Sequence, residues 1–137
     1  MKSYKTGIIF GAFDLLHAGH IHLFKQAKRY CDYLIIGLHV DPSVERDTKN
    51  KPIESIVART IRLEGCKYVN KIVVYQTEAE LSILLKYLKP DVRFLGSDYA
   101  DWVGETRKPI TDENSVVIQY IDSLDIHTSD IRERINA

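Results

Sequence analysis

His17 and His20 stand three residues apart in the run Phe10-Gly11-Ala12-Phe13-Asp14-Leu15-Leu16-His17-Ala18-Gly19-His20. That spacing puts two imidazoles on one face of a helical turn. The run leaves an apolar stretch closed by Gly11 and enters a pattern in which Ile21, Phe24, Ala27 and Tyr30 recur near helical spacing, with Lys25, Lys28 and Arg29 opposite. A helix beginning near Leu16 or His17 aims its unpaired N–H groups and positive dipole end at whatever the histidines face, which favours an anion. Gly19 between them permits close backbone approach. A lone histidine in this place reads as a cap or packing group; two around a glycine read as a phosphate site and point to nucleotide chemistry.

The elements around this run must hold it. Tyr4 to Gly11 has the short apolar centre of a strand buried on both faces. Asp32 to His39 is expected as a second strand, Glu54 to Gly65 as a second helix and Lys71 to Tyr75 as a third strand. Thr77 with Glu80 three residues on is a helix start, Leu81, Leu84, Leu85 and Leu88 supply the apolar stripe, and Pro90 ends it. Val92 to Gly96 is the fourth strand. A polar, irregular stretch from Ser97 to Ser115 precedes the strand-like Val116 to Ile121, and a short last helix starts near Thr128 or Ser129. The alternation predicts an α/β protein: a Rossmann-like, doubly wound, five-stranded parallel sheet with helices on both faces. Its ligand crevice lies at the carboxyl ends of the strands.

At 137 residues and 45% hydrophobic content, the chain is expected to form a single domain over residues 1–137. Lys plus Arg and Asp plus Glu both number 19, so the balance gives no general affinity for nucleic acid or an anionic membrane, and a small molecule is the expected partner. Cys31 and Cys66 lack CxxC or zinc-ligand spacing, which argues against a disulfide framework and fits a reducing cytoplasm. No apolar run approaches membrane-spanning length, and the opening residues do not read as a signal peptide.

The segment Gly11 to His20 resembles the HxGH element of the cytidylyltransferases, and is most similar to that of the small glycerol-3-phosphate cytidylyltransferases. The likeness continues in order along the chain. Lys49-Asn50-Lys51-Pro52 followed by Arg59 resembles the family's lysine loop and nucleotide-binding arginine, Tyr68 to Ile72 its strand entry, and Phe94-Leu95-Gly96-Ser97-Asp98-Tyr99 its GxDW-like turn. Ile126-His127-Thr128-Ser129-Asp130-Ile131-Arg132 is similar to its ISTTxIK segment. The resemblance implies a homodimeric enzyme that transfers CMP from CTP to a small phosphorylated alcohol, glycerol 3-phosphate first among them, releasing pyrophosphate. Phosphoethanolamine, phosphocholine, a sugar phosphate or a small phosphonate would use the same chemistry. A related HxGH site belongs to adenylyltransferases, and a nucleotide-binding module without turnover is the alternative of a different class.

An acceptor phosphate is already ionised at neutral pH, so in-line attack on an α-phosphorus asks for positioning and charge stabilisation instead of a strong base. His17 and His20 are therefore assigned as catalytic donors to the triphosphate. The resemblance adds Lys51 and Arg59 as catalytic nucleotide contacts, with Lys49 beside them. It also places Phe10, Gly11, Ala12, Phe13, Asp14, Gly19, Gly37, Asp98, His127, Thr128 and Ser129 at the nucleotide, with His39 near the base. Read as residues alone, the lysines suit a solvated loop, Arg59 a helix surface, Thr128 and Ser129 a helix cap, and Asp14 a turn. Mg²⁺ is expected to arrive on the triphosphate without a dedicated protein cage. Two positions depart from the family pattern: Ala12 replaces the threonine of GTFD, and Asp122 falls where the glycerol-3-phosphate enzymes carry the arginine of RTEGxST. Arg107 and Lys108, beside Trp102, and Arg132 are then the candidate cations for the acceptor, and Asp122 marks an altered acceptor site.

Overall fold

The computed structural model describes residues 2–96, 110–111, 116–122 and 128–136. Its strands are β1 (Tyr4–Gly11), β2 (Cys31–His39), β3 (Lys71–Tyr75), β4 (Val92–Gly96), β5 (Ile110–Thr111) and β6 (Val117–Ile121). The helices are α1 (Ala18–Ala27), α2 (Ile56–Glu64), α3 (Glu78–Leu88) and α4 (Thr128–Asn136), with a 3₁₀ turn at Pro42–Val44. The strands form one sheet in the order β3-β2-β1-β4-β6-β5, parallel except for β5, which runs antiparallel to β6 at the edge. Five parallel strands are thus where the alternation places them. β5 lies in the stretch read as irregular, because two residues carry no periodicity to read.

Each element ends for a local reason. Thr77 caps α3 by accepting from the Glu80 amide, while the Glu80 carboxylate reaches back to the Gln76 amide at 2.6 Å. The helix stops at Lys89, whose φ of 47° is left-handed, because the proline that follows disfavours the α region for its predecessor. Ser55 caps α2 and Gly65 closes it, one turn inside the expected span at its start. Asp91 then sews β4 to β1, its carboxylate accepting from the Lys5 and Thr6 amides.

The sheet separates two cores. Ile9, Leu34, Ile36, Leu38 and Phe94 pack on one face with Phe13, Phe24 and Leu63. Ile8, Ile35 and Tyr75 pack on the other with Leu81 and Leu85 of α3. Burying β1 on both faces makes it the centre of the sheet, and strand order reverses between β1 and β4, the switch point at which doubly wound sheets open a crevice.

Gly37 was expected to line the base end of a nucleotide site, and the structure corrects this. Gly37 is buried in β2 directly opposite Phe10 in register, and a Cβ there would come within 2.2 Å of the Phe10 ring. The glycine is present to seat that ring. Gly37→Ala should therefore destabilise the fold by about 1–3 kcal/mol, the usual cost of overpacking. Urea unfolding of the single variant and of Gly37→Ala with Phe10→Leu checks it, the second change restoring part of the loss.

Candidate functional site

The carboxyl ends of β1 and β4 part around a cavity of about 610 Å³, a volume that admits a nucleotide-sized ligand. His17 is the N-cap of α1 and His20 its N3 residue. The Gly19 amide donates to His17 Nδ1 at 3.0 Å, and the His17 amide donates to His20 Nδ1 at 3.3 Å. This is a capping box with histidines in the places usually held by serine or threonine and by glutamate. Because each Nδ1 accepts, the proton of each neutral ring is fixed on Nε2. His17 Nε2 stands 3.3 Å from Thr128 Oγ1, and that hydroxyl donates onward to the Asp14 carbonyl at 3.1 Å. The two rings are stacked with centroids 3.8 Å apart, and the Phe13 edge meets His20 at 5.5 Å.

The turn that delivers the histidines is strained. Phe13 and Leu15 both have positive φ, 48° and 50°, in the left-handed region that non-glycine residues avoid. Asp14 between them is buried and accepts from the Ile53 amide at 2.7 Å and the Glu54 amide at 2.9 Å. Glu54 answers by accepting from the Leu15 amide at 2.8 Å, and its other oxygen takes Arg62 Nε at 2.6 Å. Arg132 of α4 closes the group, donating to Asp14 at 2.7 Å and to the Lys51 carbonyl at 2.8 Å.

Arg59 is 2% exposed, and its guanidinium is spent on backbone. Nε donates to the Glu54 carbonyl, Nη1 to those of Ala12 and His39, and Nη2 to that of Val40, at 2.6–3.2 Å. Burial pushes its pKa down from the ordinary value, and Asp14, Asp41 and Glu54 pull it back up. The expected role as a nucleotide ligand is corrected: Arg59 braces the loops that frame the crevice and does not line it.

The remaining expectations sort by placement. Phe10, Gly11, Ala12, Phe13, Asp14 and Gly19 line the crevice with the two histidines, as do Lys49, Thr128, Arg132 and His39. Lys51 does not line it; its side chain is exposed and only its carbonyl is engaged, so Lys49 is the lysine of that loop that faces the cavity. Asp122 is exposed just past β6 and is also absent from the crevice wall. Asp98, Trp102, Arg107, Lys108 and His127, and the side chain of Ser129, lie outside the described residues. Sequence reasoning missed Arg46, Tyr75, Glu78 and Arg93, all of which line the cavity. Tyr75 ends β3, and its burial next to Glu78 pushes its pKa up, which keeps the phenol protonated. The available signal was that each of these residues ends a strand or begins the element after it.

A doubly wound sheet whose switch-point crevice opens onto a histidine-capped helix is a fold of the nucleotidyltransferase type. Residues 8–134 match the cytidylyltransferase-like family model, and the chain belongs to that family of nucleotidyltransferases. It is 37% identical over 99 residues to "Bifunctional protein HldE" of Acidiphilium cryptum, a match covering 72% of this chain and 20% of that protein. The chain thus spans about a fifth of that relative's length. The solved structure of the lipopolysaccharide core biosynthesis protein from Thermoplasma volcanium aligns with a TM-score of 0.69 and 25% identity, over 89% of this chain and 99% of the other. Pantothenate synthetase from Thermus thermophilus shares the fold alone, with a TM-score of 0.57 and 11% identity over 97% of this chain and 66% of its own.

Among the described residues no helix is long and apolar enough to cross a membrane. As a brace, Arg59 should matter to stability before it matters to binding. Arg59→Met is expected to cost the ligand-free protein roughly 3 kcal/mol or more, because buried carbonyls lose a charged donor. Denaturant unfolding without nucleotide measures it, and unchanged stability would return Arg59 to the role of ligand.

Proposed function

We propose that the chain is an enzyme that transfers a nucleoside monophosphate, CMP from CTP in the first instance, to a small phosphorylated acceptor. An acceptor phosphate oxygen attacks the α-phosphorus, the bond to the bridging oxygen breaks, and pyrophosphate leaves with the electron pair. The observation that carries this reading is the histidine capping box. It fixes both rings as Nε2–H donors at the positive end of a ten-residue helix, on the wall of a cavity of nucleotide size. Donors held in place stabilise charge that develops on phosphate oxygens, and no base is called for.

Lys49 and Arg132 are the cations of the described crevice nearest in sequence to the family's lysine loop and last motif, and they support the phosphates. Asp98, His127 and Ser129 at the nucleotide, and Arg107 and Lys108 at the acceptor, belong to this proposal through the resemblance. The described residues contain no group of three or more histidine, cysteine or acidic side chains placed to hold a metal, and Asp14 is engaged by three donors. That donor set suits Mg²⁺ carried by the triphosphate and water, where it would neutralise charge on the departing pyrophosphate. Glycerol 3-phosphate is the acceptor the resemblance implies. The solved lipopolysaccharide core biosynthesis protein supports sugar phosphates as well. A homodimer of such chains in the cytoplasm completes the reading.

Pyrophosphate release from CTP or ATP with Mg²⁺ and a panel of phosphorylated acceptors tests the reaction. Nucleotide binding with no release from any acceptor would leave only a binding module. His17→Asn keeps a side chain that caps a helix well, yet removes the Nε2 donor. It should lower kcat by roughly 10²–10³-fold, as loss of one oxyanion donor does, with thermal stability nearly unchanged. Near-normal turnover in this variant would remove His17 from the mechanism.

A further inference from the structure

The crevice has two walls on opposite faces of the sheet. Ile9 and Phe13 pack toward α1, whereas Ile8 and Phe10 pack with Ile35, Tyr75 and Leu81 toward α3. His17, His20, Thr128 and Arg132 are grouped around Asp14 on the α1 side. A separate group lines the α3 side: Phe10, His39, Arg46, Tyr75, Glu78 and Arg93. His39 and Tyr75 are stacked at 4.5 Å, and the Phe10 ring meets Tyr75 edge-on at 5.5 Å. The Arg93 guanidinium sits over Phe10, 5.0 Å from the ring centre. Arg46 pairs with Glu78 at 3.1 Å on the rim, both side chains about half exposed.

In-line transfer needs two substrates that enter from opposite sides of one phosphorus. With the triphosphate at the histidines, the acceptor's side is the α3 wall. We infer that this wall holds the acceptor and selects a phosphorylated polyhydroxyl compound over an amino-alcohol phosphate, an inference that rests on the transferase reading above.

Charge and shape carry the selection. Two guanidinium groups against one carboxylate, among the described residues of this wall, repel an ammonium head. The Phe10 face, which an aromatic cage would offer to a quaternary ammonium, is already covered by the Arg93 cation. Hydroxyl groups meet complementary partners instead: Glu78 accepts from them and Arg46 donates to them, both turned to the cavity from the rim. The apolar C–H face of a sugar or polyol finds the stacked His39 and Tyr75 rings beneath.

Initial rates of pyrophosphate release with glycerol 3-phosphate, a hexose 1-phosphate, phosphocholine and phosphoethanolamine test this. The hydroxylated acceptors are expected to have the higher kcat/KM by roughly tenfold or more. Glu78→Gln and Arg46→Gln, at exposed positions the fold tolerates, should each raise the KM of the hydroxylated acceptor by up to roughly tenfold, leaving the nucleotide KM unchanged. Arg93→Met should narrow the gap to phosphoethanolamine. Equal or better turnover of the amino-alcohol phosphates would overturn the inference and keep the transferase, as would a rise in nucleotide KM equal to that of the acceptor. No release from any acceptor would overturn both. Calorimetric titration of acceptor into the protein with a non-hydrolysable CTP analogue reads the same preference without turnover; equal affinity for all four acceptors would overturn the inference.

Discussion

Asp14 and Glu54 exchange hydrogen bonds across two loops, and the geometry of the site depends on that exchange. Asp14 holds the amides of Ile53 and Glu54, and Glu54 holds the amide of Leu15. Without it the turn Phe13-Asp14-Leu15 has little reason to keep two side-chain-bearing residues in the left-handed region, each costing about 1–2 kcal/mol. Bonds from backbone amides to an ionised carboxylate are among the stronger hydrogen bonds, so three of them offset that strain. The turn must be strained because the chain leaves a central strand and has to enter α1 with its first amides facing the crevice. A relaxed turn would start the helix elsewhere.

The same exchange ties the lysine loop to the histidine turn. Arg132 adds α4 by bridging Asp14 and the Lys51 carbonyl, and Arg59 adds β2 by gathering carbonyls of Ala12, His39, Val40 and Glu54. Segments 39 to 118 residues apart in sequence thereby share one polar network at the edge of the sheet. A buried guanidinium surrounded by carbonyl dipoles satisfies its donors without a carboxylate in contact, and the carboxylates of Asp14, Asp41 and Glu54 nearby favour its charged form. The network is directional: carbonyls point inward to Arg59, and the histidine Nε2 donors and the helix end face the cavity. Anion-binding groups are left for ligand while the acceptors are consumed internally.

How much of this was legible follows from range. The parallel strands and the four helices came from periodicity and punctuation, which act within a few residues: Thr77 and Glu80, Pro90 after Lys89, and the apolar centre of β1. The histidine pair was legible for the same reason, since a capping box closes within three residues. Gly37 and Arg59 were misplaced because their partners are distant. Nothing near Gly37 announces that Phe10 will lie on it, and an arginine in an amphipathic helix looks the same whether its guanidinium meets solvent, phosphate or four carbonyls. The preference for Lys51 over Lys49 failed differently: adjacent loop residues point apart, and local pattern does not fix which one turns inward.

Histidine in place of the usual capping pair explains why one local device serves both folding and chemistry. Serine and glutamate in a capping box satisfy helix amides but bring a carboxylate to the helix end, where it would repel a triphosphate. An imidazole satisfies the same amide with Nδ1 and keeps a second nitrogen, on the far side of the ring, as a donor. Stacking at 3.8 Å holds the two rings in register, so helix formation itself orients both donors before any ligand arrives. Such pre-organisation is where positioned donors gain their advantage over water, since no reorientation is required as charge shifts on the phosphate. The Asp14 and Glu54 exchange then acts on chemistry indirectly: it fixes where the helix begins, and the start of the helix fixes where the donors point.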